Sequence, residues 1–158
     1  MCGIIGIASN KSVTSNIINS LKRLEYRGYD SSGVATIHNN IINEKKCPGR
    51  VEELEKILFN SPSNGNVGIG HVRWATHGLP NQINAHPHSS DLVAVVHNGI
   101  IENSENLKQN LERDGYKFKS QTDTEVITLL LTKFLKKFSL LDAVYKTLEK
   151  LTGSFAFG

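Results

Sequence analysis

The dipeptide Asn39-Asn40 separates two short β-rich runs, Gly33 to His38 and Ile41 to Lys46. A two-residue connection returns a strand beside its neighbour in the opposite direction, whereas a parallel return needs a crossover of a dozen or more residues. This chain of 158 residues is therefore committed to an antiparallel hairpin early on, and the remaining pattern does not restore regular strand–helix–strand spacing. Cys2 to Ala8 is apolar and β-branched and reads as a buried strand. Val13, Ile17, Leu21 and Leu24 recur at helical spacing, in a helix that should end before Gly28. Val51, Leu54, Ile57 and Leu58 mark a second, short helix, and Val67 to Arg73 another strand. The pattern predicts an α+β fold of antiparallel sheets covered by helices.

The second half opens with a long loop from Trp74 to Ser90, a length usual for lids and binding loops. Leu92 to His97 reads as an apolar strand that runs into an Asn98-Gly99 turn. Asn103 is placed to cap a helix closed by Gly115, and Thr122 with Glu125 has the form of a capping box opening a helix from Asp123 to Leu135. Ser139 begins a last helix with Leu141, Val144, Leu148 and Leu151 on one face. Residues 154–158 alternate as a strand and stop at Gly158 with no turn or polar tail after them, so the expectation is a domain incomplete at its C-terminus.

Composition excludes several function classes. Hydrophobic residues are 39% and charged residues 21% of the chain, as in globular proteins. The net charge is +3 without a clustered basic face, so nucleic acid is not expected as a partner. The longest apolar stretches, such as 92–96 and 126–131, are far short of the roughly 20 residues a membrane span needs. No signal peptide is recognisable, and the two cysteines make no disulfide framework. A cytoplasmic location is the corresponding expectation.

The first residue with chemistry to offer is Cys2. Removal of the initiator Met would place a thiol and an α-amino group on one residue, with reference pKa values of about 8.5 and about 7.7–8.0. The amine can then take the thiol proton near neutral pH. Read alone, Cys2 is more simply a small buried residue opening a strand. Asn98 and Gly99 offer a side-chain amide and a backbone N–H side by side, the donors an oxyanion needs, or a plain turn. Arg73 could hold a carboxylate in bidentate fashion or form a surface ion pair. Asp123 is favoured near a helix N-terminus whatever its function. The histidines His71, His77, His86, His88 and His97, with Asp91 near in sequence, lack recognisable zinc spacing, so neither metal nor other cofactor is expected. Cys47 reads as an incidental loop thiol, and no glycine-rich phosphate loop follows a strand.

Taken together, the motifs resemble class II glutamine amidotransferases. They are Cys-Gly-Ile-Ile-Gly at position 2, Leu24-Glu25-Tyr26-Arg27-Gly28-Tyr29-Asp30-Ser31, the run from His71 to Gly78 (HVRWATHG), Asn84-Ala85-His86-Pro87-His88, the run from His97 to Asn103 (HNGIIEN) and Thr122-Asp123-Thr124-Glu125. The Arg-Trp-Ala-Thr-His-Gly and Tyr-Arg-Gly-Tyr-Asp-Ser blocks place the likeness in the glutamine–fructose-6-phosphate aminotransferase branch of that family. The resemblance implies a four-layer α/β/β/α N-terminal-nucleophile hydrolase sandwich, with residues 1–158 as a partial amidotransferase domain and the sugar isomerase domains absent. It implies L-glutamine as substrate, Cys2 as nucleophile, and Asn98 and Gly99 as the oxyanion pair. Arg73 would bind the α-carboxylate and Asp123 the α-ammonium, with Trp74, Thr76 and His77 on the segment closing over the substrate. A separate chain carrying the sugar isomerase domains is the partner it implies. The alternative left open is an inactive fragment, or a module that binds glutamine without turnover.

Overall fold

The computed structural model describes residues 2–74 and 78–158. The first half is a four-stranded, wholly antiparallel sheet in the order β1-β4-β2-β3, formed by β1 (Gly3–Ala8), β2 (Ser31–His38), β3 (Ile41–Pro48) and β4 (Val67–Arg73). The turn that set this arrangement is as its sequence demands: Asn39 and Asn40 have φ of 50° and 60°, the left-handed pair that matches the twist of a tight hairpin. β1 and β2 both pair with β4, so Cys2 and Arg73 come to the same end of the sheet.

Two helices, α1 (Thr14–Leu24) and α2 (Val51–Asn60), cover this sheet. Val13, Ile17, Ile18 and Leu21 bury their stripe against Val34 and Val72, and Val51 and Leu54 extend the same core. α1 sits so close to β4 that a Cβ on Gly70 would lie 2.4 Å from Ile17 Cγ2; only glycine allows that contact. Cys47, expected in a loop, is instead buried on β3 in this core, and burial pushes its thiol pKa up.

The second half pairs β5 (His88–Ser89) with β6 (Ala94–Val95), and β7 (His97–Ile101) with β8 (Gly153–Phe157). Between β7 and β8 run α3 (Ser104–Arg113), α4 (Thr124–Leu135) and α5 (Leu140–Leu148). Val95, Ile101, Ile127, Leu131 and Ala143 form its core. Ala35, Ile37, Val67 and Ile69 of the first sheet line a cavity of about 510 Å³ together with Val95, Leu131 and Phe157 of the second half. Both faces of β2 are buried from Ser31 to Thr36, as a strand covered on two sides requires. The result is α+β, with antiparallel sheets between helical layers. Among the described residues no helix is long and apolar enough to cross a membrane.

Several local expectations are corrected. Asn98-Gly99 is not a turn but the middle of β7, paired with Ala156 and Phe155. Asn103 precedes α3 without capping it through its side chain; its amide donates to Lys150 O at 2.8 Å and accepts from Thr152 N at 3.0 Å. Thr122 and Glu125 make no capping box. Asp123 is the residue before α4, while Glu125 accepts from the backbone N–H groups of Lys119 and Ser120. Ser139 does cap α5, accepting from Asp142 N. Of the face expected for α5, Val144 and Leu151 pack against the core while Leu141 and Leu148 are exposed, and Ala143 and Thr147 are buried in their stead.

Candidate active site

Cys2 is gripped from three directions. Its backbone nitrogen donates to Asn98 Oδ1 at 3.3 Å, and its carbonyl accepts from Arg27 Nε at 2.9 Å. The Trp74 N–H donates to Sγ at 3.4 Å. Arg27 lies in a single 3₁₀ turn, Glu25–Arg27, that follows α1, so the Tyr-Arg-Gly block acts here by anchoring the residue at the head of β1.

Asn98 and Gly99 face Cys2 from β7. Because Asn98 Oδ1 accepts from Cys2, its Nδ2 is the amide donor left to serve a ligand. Gly99 has φ of +139°, and a Cβ there would lie 2.2 Å from Ser154 O. Only glycine lets β7 adopt this backbone so close to β8, which explains an Asn-Gly pair inside a strand.

Arg73 ends β4 and is 3% exposed, so the surface ion pair is excluded. Its guanidinium donates to the carbonyls of Gly78 and Leu79, both at 3.4 Å. Burial lowers its pKa, and Cys2, Asp30 and Asp123 oppose that shift; an arginine remains a cation under such pressure. Asp123 uses Oδ2 to accept the Ile101 N–H at 2.8 Å. Cys2, Arg73, Trp74, Asn98, Gly99 and Asp123 line one cavity of about 230 Å³. Trp74 is half exposed, with Tyr29 edge-on to its ring at a centroid distance of 6.1 Å. Thr76 and His77 lie outside the described residues.

His86, His97, Thr122 and Thr124 also line this cavity and belong to a polar layer whose organisation the sequence did not disclose. The His71 ring stacks on His86 with centroids 4.2 Å apart, and His71 Nε2 donates to the His97 carbonyl at 3.0 Å. Thr124 Oγ1 lies 2.7 Å from His86 Nε2 and 2.8 Å from His97 Nδ1. Thr122 Oγ1 lies 2.8 Å from His88 Nε2. Burial drives the pKa of His71 and of His88 down to about 3 and that of His86 well below its ordinary value, so these rings are neutral at pH 7. His97 is lowered by burial against the pull of Asp123. Among the described residues, no three His, Cys, Asp or Glu side chains are grouped so as to hold a metal ion. Only the His-Pro-His run hinted at this layer, and it suggested ligation rather than hydrogen bonding.

A thiol, a side-chain amide beside a backbone N–H, a buried guanidinium and a carboxylate around one small cavity suit covalent attack on the amide of a small zwitterion. A family model for the glutamine amidotransferase domain matches residues 71–158. The chain is 52% identical over 157 residues to a glutamine–fructose-6-phosphate aminotransferase [isomerizing] from Mesorhizobium japonicum, covering 99% of this chain and 26% of that one. It is 52% identical over 160 residues to the enzyme of the same name from Clostridium acetobutylicum, again covering 26% of it. The chain thus spans about a quarter of the length of the curated relatives it matches. Among solved structures, the glutamine phosphoribosylpyrophosphate amidotransferase from B. subtilis, complexed with ADP and GMP, superposes with a TM-score of 0.85 at 29% identity, over 99% of this chain and 34% of that one. By its sequence match and by its antiparallel fold, the chain belongs to the glutamine amidotransferase domain family.

Proposed function

We propose that the chain hydrolyses the side-chain amide of L-glutamine through a thioester on Cys2. The observation that carries this reading is the convergence of Cys2, Asn98, Gly99, Arg73 and Asp123 on one cavity. With Met1 removed, the Cys2 amine takes the thiol proton and the sulfur attacks the amide carbon. The Asn98 amide and the Gly99 N–H hold the oxygen of the tetrahedral intermediate. The carbon–nitrogen bond then breaks, the amine returns the proton to the leaving nitrogen, and ammonia departs. Water cleaves the thioester, releasing glutamate and the thiol.

Arg73 and Asp123 are the groups for the α-carboxylate and α-ammonium. Opposite charges at fixed places favour the free amino acid over glutamine within a peptide. Trp74, Thr76 and His77 are assigned to the segment that covers the substrate and excludes water. Residues 1–158 act in this reading as the glutaminase part of a longer machinery. Its ammonia serves amination of fructose 6-phosphate to glucosamine 6-phosphate, by sugar isomerase domains carried elsewhere.

The test is ammonia release from glutamine by the purified chain, with intact mass read on the same sample. Activity that disappears in Cys2→Ala supports the reading. Activity unchanged in that variant overturns it, and glutamine binding without ammonia release by the Met1-processed chain leaves a binding module in its place.

A further inference from the structure

We propose that Thr124 is a positioning residue, its hydroxyl joining His97 and His86 in a one-way relay that clamps the ammonium-binding Asp123 against the strand carrying the oxyanion pair. The inference rests on the glutaminase reading above and adds a residue to it. Thr124 Oγ1 lies within hydrogen-bond distance of two imidazole nitrogens, 2.7 Å from His86 Nε2 and 2.8 Å from His97 Nδ1. A threonine hydroxyl has one proton. At most one ring nitrogen therefore accepts from Thr124, and the other must donate to it.

Asp123 decides which. Its Oδ1 is 3.9 Å from His97 Nδ1, and a carboxylate at that distance favours a proton on the facing nitrogen. His97 Nδ1–H thus donates to Thr124 Oγ1, and the Thr124 O–H donates to His86 Nε2. His86 in turn stacks on His71, whose Nε2 donates to the carbonyl of His97, closing the layer on itself.

The members of this layer stand beside the site groups in sequence. His97 precedes Asn98, Thr124 follows Asp123, and His71 lies two residues before Arg73. The start of α4 is tied to β7 at two points, Asp123 Oδ2 to the Ile101 N–H and Thr124 Oγ1 to His97. Thr122 beside His88 and Glu125 on the Lys119 and Ser120 N–H groups hold the flanking turn as well, and Thr124 adds the tie that sets the helix end against His97. Asn98 is independently fixed by pairing with Ala156 and by its bond from Cys2. Loss of the hydroxyl therefore falls on the ammonium end of the substrate rather than on the reacting carbonyl.

The experiment compares the wild type with Thr124→Ser and Thr124→Val, reading glutamine kinetics and the histidine tautomers by ¹⁵N NMR without substrate. The expected result is a protonated Nδ1 on His97 and a bare Nε2 on His86 in the wild type. Val should raise KM at least tenfold with kcat within threefold, because contacts made equally before and in the transition state appear in KM. Ser should restore KM to within threefold. A Val variant with unchanged KM, a loss carried by kcat, a Ser variant as impaired as Val, or the reverse tautomers would each overturn the proposal. A wild type that releases no ammonia overturns the glutaminase reading instead, and the tautomers then decide the relay alone.

Discussion

The backbone nitrogen of Cys2 donates to Asn98 Oδ1 at 3.3 Å, across 96 residues of sequence. This bond joins the first strand to the seventh and settles which way the Asn98 amide faces. An amide whose oxygen is occupied by the nucleophile's own nitrogen presents its NH₂ elsewhere. The same contact holds the Cys2 nitrogen and the Asn98 amide side by side.

Asn98→Ala removes that donor and releases the Cys2 nitrogen. Loss of one oxyanion donor lowers kcat by about 10²–10³, and the expected fall here is at least that large. Steady-state ammonia release with saturating glutamine measures it. A kcat within threefold of the wild type would remove Asn98 from the oxyanion site.

Asp123→Asn keeps shape and the bond from Ile101 N–H but deletes the charge. A hydrogen bond to a charged group contributes about 1.5–3 kcal/mol, so KM for glutamine should rise roughly 10- to 100-fold with little change in kcat. Titration of the variant with glutamine distinguishes this from a general loss of structure, which would lower kcat as well.

The sheet was largely legible in the sequence. The bounds of β4 coincide with the expected Val67–Arg73, and the Asn39-Asn40 turn and the Ser139 cap stand where local chemistry puts them. These features are decided by residues within a few positions of each other. The errors have one physical cause. Asn103 bonds partners 47 and 49 residues away, and Thr122 bonds His88, 34 residues away. A cap is the best partner for such a side chain only when tertiary structure offers nothing better. Asn98-Gly99 misled in the same way, because its glycine answers the approach of β8 rather than a turn. Cys2, Arg73, Asn98, Gly99 and Asp123, which share one cavity, stood out by motif, but the Thr124 layer did not, since a hydrogen bond between a histidine and a threonine leaves no spacing to read.

Gly99→Ala tests the approach of β8. The left-handed φ of +139° and the contacts at 2.2 Å to Ser154 O and 2.5 Å to Phe155 Cα leave no room for a methyl group. Strain of this kind costs about 1–3 kcal/mol, and relief requires β7 and β8 to separate. The expected outcome is a lower thermal midpoint together with loss of glutamine hydrolysis, since the strand that moves carries Asn98. An alanine variant as stable and active as the wild type would contradict this backbone geometry.

The buried histidines make stability depend on pH. The pKa values of His71 and His88 fall to about 3 in the folded chain, against about 6.5 when unfolded. His86 is shifted in the same direction by burial. Between those limits the unfolded chain binds more protons than the folded one, so stability rises with pH and is lost as pH falls. The loss sets in near pH 6.5, above the carboxylate range, and steepens to about 1.4 kcal/mol per pH unit for each histidine. Urea unfolding between pH 7.5 and 5 should show a falling midpoint, while the His71 and His88 ring protons of the folded chain keep their neutral shifts. A midpoint constant to pH 5, or folded-state titration of either ring near pH 6, would show that the histidine layer is open to solvent.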